Sequence, residues 1–171
     1  MTPNDLFPGL PDEADLWIYA LERPLTEAEQ RTLLDQLHRF MGTWTSHQRP
    51  VQGAMVLLED RFILLAAQVP DGDLSGCGID KSVHVLAAAA QQLGTGLMGN
   101  LAVVYRDATG QVQATSRHAF RQMIRDGRVS ERTPVFDLSL RRVGDWRRGV
   151  FERPAADAWV AVFFTPTLAA G

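Results

Sequence analysis

The sequence predicts an α+β fold, and three observations carry that prediction. The hydrophobic patterns run strand, helix, strand, strand, helix, strand over residues 16–107. Two apolar runs, "GAMVLLED" and "RFILLAAQ", meet at Glu59-Asp60-Arg61, which reads as a β-hairpin with a short polar turn. Both helical stretches carry end signals: Thr26 with Glu29 three residues on for the first, and Gly94 and Gly96 closing the second. This order is the split βαβ, or ferredoxin-like (βαββαβ), arrangement. Residues 108–165 follow as a helix-plus-strands extension, so that 16–165 reads as one α+β domain between an arm (1–15) and a tail (166–171).

Taken in order, residues 1–14 form an extended, Pro-punctuated arm. "LWIYAL" (16–21) is short and rich in strand formers, as a buried strand is. Thr26 caps the first helix, whose Leu33, Leu34, Leu37, Phe40 and Met41 repeat at helical spacing up to Gly42. After the hairpin, Asp80 is placed as N-cap of a helix over 81–93, with Val83, Leu86, Ala87, Ala90 and Leu93 facing inward. "NLAVVYRD" is a strand ending at the turn "DATG". "QVQATS" is another, with Ser116 capping a helix over 117–126 that Gly127 closes. "TPVFDLSLR" and "DAWVAVFF" read as two more strands, joined by a loop, "RRVGDWRRGVFERP".

The composition, 46% hydrophobic and 22% charged over 171 residues, is that of a soluble globular domain with one good core. No apolar run reaches the roughly 20 residues of a membrane span. The acidic, Pro-rich beginning lacks the basic region of a secretory signal, and the single Cys77 permits no internal disulfide; together these point to the cytoplasm. Net charge is −3, but unevenly spread: the first 116 residues hold 7 basic and 14 acidic groups, whereas residues 117–153 hold ten arginines against five acidic residues. That segment is placed to meet a small anionic ligand or an acidic protein partner; the plainer alternative is a solvated arginine surface. Nucleic acid is disfavoured, because the strands lack the aromatics of RNA-binding sheets. The exception weighed is "RRVGDWRR", where Arg141, Arg142, Arg147 and Arg148 would grip phosphates beside Trp146. No membrane partner is expected.

"SGCGIDKSVHVL" (75–86) resembles a phosphate loop only superficially. A P-loop needs Gly, four residues, then Gly-Lys-Ser/Thr, so that successive amides wrap the phosphates while Lys reaches them. Here the second glycine is missing and Asp80 places negative charge where phosphate would sit. The plain reading is a tight turn in which Gly76 and Gly78 adopt positive φ and Asp80 caps the helix. Cys77 stays open between a small buried hydrophobe and a thiolate favoured by the helix dipole. "WTSHQRP" (44–50) leads into the hairpin at the end from which residues 75–82 leave it, so His47 can approach Cys77 or Asp80. The catalytic candidates are therefore Cys77, His47 and Asp80. The ligand-binding candidates are Trp44, Ser75, Gly76, Gly78, Lys81, Ser82 and His84, the last on the helix face of Asp80. Cys77, His84 and His47 match no zinc spacing, and no metal or cofactor is expected. His38 and His118 read as surface residues, and Trp17, Trp146 and Trp159 as packing aromatics.

The stretches "LWIYALERPLTEAEQ", "WTSH", "RFILLA" and "SGCGIDKSVH" resemble a family of short bacterial proteins, of Bacteroidetes type, many of which carry the automatic label "ABC transporter ATPase". The resemblance spans about residues 16–165 and is densest in Trp44-x-x-His47 and Ser75-Gly-Cys-x-Ile-Asp80-x-Ser82. It implies that the two loops are a shared feature; with no Walker A or Walker B motif present, the ATPase label finds no support in the residues. The favoured function is a non-enzymatic binding or scaffold module with a ligand site between loops 43–50 and 75–82. The alternative is a small-molecule or thiol-dependent enzyme using Cys77 and His47.

Overall fold

The computed structural model describes residues 5–46, 48–69, 76–99 and 101–166, with backbone only for Gly76 and Cys77. In chain order the elements are β1 (Asp15–Ala20), α1 (Glu27–Thr43), β2 (Thr45–Ser46), β3 (Arg49–Pro50), β4 (Gln52–Leu58) and β5 (Phe62–Gln68). Then come α2 (Gly76–Gln92), β6 (Ala102–Arg106), β7 (Val112–Ser116), α3 (Arg117–Arg125), β8 (Pro134–Phe136), α4 (Val143–Arg147) and β9 (Glu152–Pro154). The fold is mixed α and β, and the chain divides into two compact units. One comprises residues 1–98 and 138–149, the other residues 99–137 and 150–171.

In the first unit β1, β5 and β4 form an antiparallel sheet in the order β1-β5-β4. β5 is apolar and buried on both faces, which places it at the centre. α1 begins with the expected capping box: the Thr26 hydroxyl accepts from the Glu29 amide, and the Glu29 carboxylate accepts from the Thr26 amide. Leu33 and Leu37 of α1 pack with Leu86, Ala89 and Ala90 of α2 over Ile63. Ala87, expected inside, is exposed, and Ala89 takes the inner place. The hairpin turn forms where expected, with Glu59 and Asp60 both in left-handed backbone. Buried Arg61 anchors the turn, donating through Nε to the Leu21 carbonyl (3.0 Å) and through a terminal nitrogen to the Glu22 carbonyl (2.7 Å).

The fourth ferredoxin-like strand does not join this sheet; residues 102–106 pair in the second unit. The reason lies on the free edge of β1. Near its end Leu21 bridges Leu97, with the Met98 amide donating to the Ala20 carbonyl. Near its start Asp15 bridges Arg142, with the Leu16 amide donating to the Arg141 carbonyl. Two short backbone segments thus occupy the edge a full strand would need. Residues 5–14 make two turns, closed by Leu10 on Phe7 and by Ala14 on Pro11, and bury Phe7 and Leu10.

The second unit is a four-stranded sheet in the order β7-β6-β8-β9, with Phe120 and Met123 of α3 in its core. Ser116 caps α3 through its hydroxyl, which accepts from the Ala119 amide, and Gly127 follows the helix at φ +70°. The β6–β7 turn is held by Asp107, whose carboxylate accepts from the Thr109 hydroxyl and amide, the Gln113 side chain and the Gln111 amide. The Thr109 and Gln113 bonds lead in lowering its pKa to about 2.

Two expectations about the C-terminal region are corrected. "RRVGDWRRGVFERP" is not a loop: it holds α4 and β9. "DAWVAVFF" is not a strand: Trp159–Phe163 is a short 3₁₀ helix. A short apolar run has no period that separates strand from helix. Here Val160 is fully buried whereas Val162, two residues on, is 68% exposed; a strand would turn both to one side.

Candidate functional site

The two loops singled out in the sequence do come together. Trp44 follows α1 and is buried (3% exposed), stacked at a tilt on Phe40 with ring centroids 5.4 Å apart. Its indole Nε1 donates to the Gly78 carbonyl at 2.9 Å. Gly78 lies in α2, which starts at Gly76, so 76–80 is helical and Asp80 is an exposed residue within the helix, not its N-cap. Glycine favours turns and weakens helices, but its backbone adopts the helical conformation without steric strain. Gly78 is buried and absent from the positive-φ positions.

The remaining candidates divide. Ser82 is 1% exposed, and its hydroxyl donates to the Ile79 carbonyl (2.6 Å), a bond within its own helix. Lys81 and His84 are exposed on α2, and no hydrogen bond joins His84 to Asp80. His47, Ser75 and the side chain of Cys77 lie outside the described residues. Trp44 is therefore a buried residue that fastens two segments.

One open groove of the first unit lies among other residues. About 570 Å³ in volume, it runs beside Asp12, Asp15, Gln68, Arg142, Asp145 and Arg148. Both of its arginines are paired with its own carboxylates: Arg142 with Asp15, and Arg148 with Asp145. Arg147, half-buried, is a hub. It pairs with Asp12 and with Asp5 (3.0 Å), and donates to the carbonyls of Phe7 (2.9 Å) and Leu10 (2.7 Å). The Phe7 amide and Arg147 together hold the Asp5 carboxyl below the usual range. Of the four arginines that could grip phosphates, Arg142, Arg147 and Arg148 thus bind the chain's own carboxylates, and Arg142 and Arg147 backbone carbonyls as well.

The second unit is different. Arg106 forms a two-pronged bridge with Glu152 (2.7 and 3.0 Å), and Arg153 approaches Asp137 at 3.4 Å. Arg117, Arg121, Arg125, Arg128 and Arg132 are exposed and make no ion pair among the described residues. Two of them rest on aromatic rings: Arg117 over Trp159 at 5.0 Å from the centroid, and Arg121 over Phe163 at 4.2 Å. The four-residue spacing of 117, 121 and 125 is visible in the sequence. The rings beneath them are not, because 157–164 reads as a strand.

No family model, no curated protein and no solved structure matches this chain. No helix among the described residues is long and apolar enough to cross a membrane, and no group of three or more His, Cys, Asp or Glu there is placed to hold a metal.

Proposed function

We propose that this chain is a non-enzymatic binding module that takes an acidic protein partner on the α3 face of its second unit. The observation that supports this reading is the contrast among the arginines. Those at 142, 147 and 148 are neutralised within the chain, whereas Arg117, Arg121 and Arg125 stand along one helix with no ion pair among the described residues. Residues four apart on a helix share a face. Their charge is concentrated and uncompensated, and an anionic surface removes that self-repulsion. The test is a salt titration of polyglutamate binding. Binding at low salt that is lost in the triple variant R117A/R121A/R125A agrees with the reading; binding that survives those substitutions refutes it.

The order β1-β5-β4, with Leu97 bridging the far edge of β1, supports a ferredoxin-like reading of the first unit in which residues 96–98 take the place of the fourth strand. A second functional reading, thiol chemistry by Cys77 with His47, is supported by the Trp44–Gly78 bond, which ties the loop after α1 to the first turn of α2. Its test is the alkylation rate of Cys77 against pH. A native rate that stays high below pH 7 favours it, and protection relative to the unfolded chain opposes it.

A further inference from the structure

The α3 face carries a more specific geometry than a basic patch. Arg117 and Arg121 are about one turn apart on α3, and the rings on which they sit, Trp159 and Phe163, have centroids 5.7 Å apart, edge to face. Phe163 also packs against Phe120 (6.5 Å), which joins the ring pair to the core of the second unit. Each guanidinium is thus held over a fixed platform. A contact with a ring occupies none of the guanidinium N–H donors with an acceptor, and so leaves the fork that suits a carboxylate. Neither Arg117 nor Arg121 donates to any acceptor among the described residues. On the same short helix as the two rings, Val162 is 68% exposed.

We propose that Arg117 and Arg121, seated on Trp159 and Phe163, form a paired carboxylate receptor for an acidic helical segment of a protein partner, one carboxylate per guanidinium. This deepens the binding-module reading and rests on it. The register selects the ligand: Arg117 and Arg121 stand four residues apart on α3, and carboxylates four residues apart on a partner helix share the same spacing, about 5–6 Å between Cβ atoms. A single-stranded nucleic acid is the poorer fit, since its bases need free aromatic faces. Here the guanidinium groups cover one face of each ring.

The experiment compares three probes on the full chain: a helical Ala/Gln peptide with glutamates four residues apart, an isomer with the same glutamates two residues apart, and polyuridylate. The receptor predicts that the first peptide binds about tenfold or more tightly than its isomer, a difference of one charge-assisted contact. It also predicts that R117K/R121K, which keeps the charge and loses the fork, abolishes the preference while retaining polyglutamate binding. Equal binding of the two isomers overturns the paired receptor and leaves the basic module standing. Polyuridylate binding tighter than either peptide overturns the choice of partner, and failure of both peptides and polyglutamate overturns inference and module together.

Discussion

Arg147 in the first unit and Arg121 in the second are both half-buried or exposed arginines on short stretches of helix, yet they do opposite things. Arg147 meets two carboxylates and two backbone carbonyls, and so fastens residues 5–12 to α4. Arg121 meets an aromatic ring and nothing acidic. Surface ion pairs contribute little on average. A guanidinium that also satisfies backbone carbonyls of a turning segment does more, because those carbonyls lose their partners when it is removed. The difference teaches that net charge along a sequence says little about what is available for binding. What matters is which arginines the chain has already consumed.

That comparison can be sharpened by substitution. The largest stability loss is expected at Arg61, the buried member of the set. Arg61→Ala leaves the carbonyls of Leu21 and Glu22 without its donors and should cost about 3 kcal/mol in a urea melt. Gly144→Ala comes next. A Cβ there would meet the Asp12 Cβ at 3.1 Å and the Asp12 carbonyl oxygen at 3.3 Å, so a loss of about 1–3 kcal/mol is expected. Arg147→Ala should lower the melting temperature and quicken proteolysis near residues 5–14, with polyglutamate affinity unchanged. Arg117→Ala with Arg121→Ala should shift stability by only about 1 kcal/mol, the scale of exposed cation–π contacts, while abolishing binding.

The smallest effect concerns pH. Glu29 is drawn down to about 2, first by Arg23 and then by the Thr26 amide. A depressed carboxylate stabilises the fold above its unfolded pKa and loses that contribution as pH falls through its folded value. Wild-type stability should therefore decline between about pH 4.5 and pH 2 more steeply than that of Glu29→Gln. Parallel acid profiles would remove Glu29 from the account.

Most helix caps and the hairpin turn were legible in the sequence, whereas most long-range pairings were not. The Thr26 and Ser116 caps and the Glu59–Arg61 turn follow from neighbouring residues, and all three form as expected. The meeting of the Trp44 loop with the 75–82 segment was also legible, from the order of strands alone. The fate of the fourth strand was not, because it depends on residues 96–98 and 141–142 occupying the edge of β1. The arginine excess at 117–153 was visible, but the carboxylates that consume Arg142 and Arg147 lie 127 to 142 residues away. The ring platforms under Arg117 and Arg121 depend on a 3₁₀ helix whose pattern also suits a strand.

The most direct test of the partition between consumed and available arginines is to measure melting temperature and polyglutamate affinity side by side for Arg147→Ala and for the Arg117→Ala/Arg121→Ala pair. The account predicts a crossed result: the first variant melts earlier and binds normally, and the second melts almost normally and does not bind. Loss of binding in Arg147→Ala, with binding intact in the double variant, would contradict it.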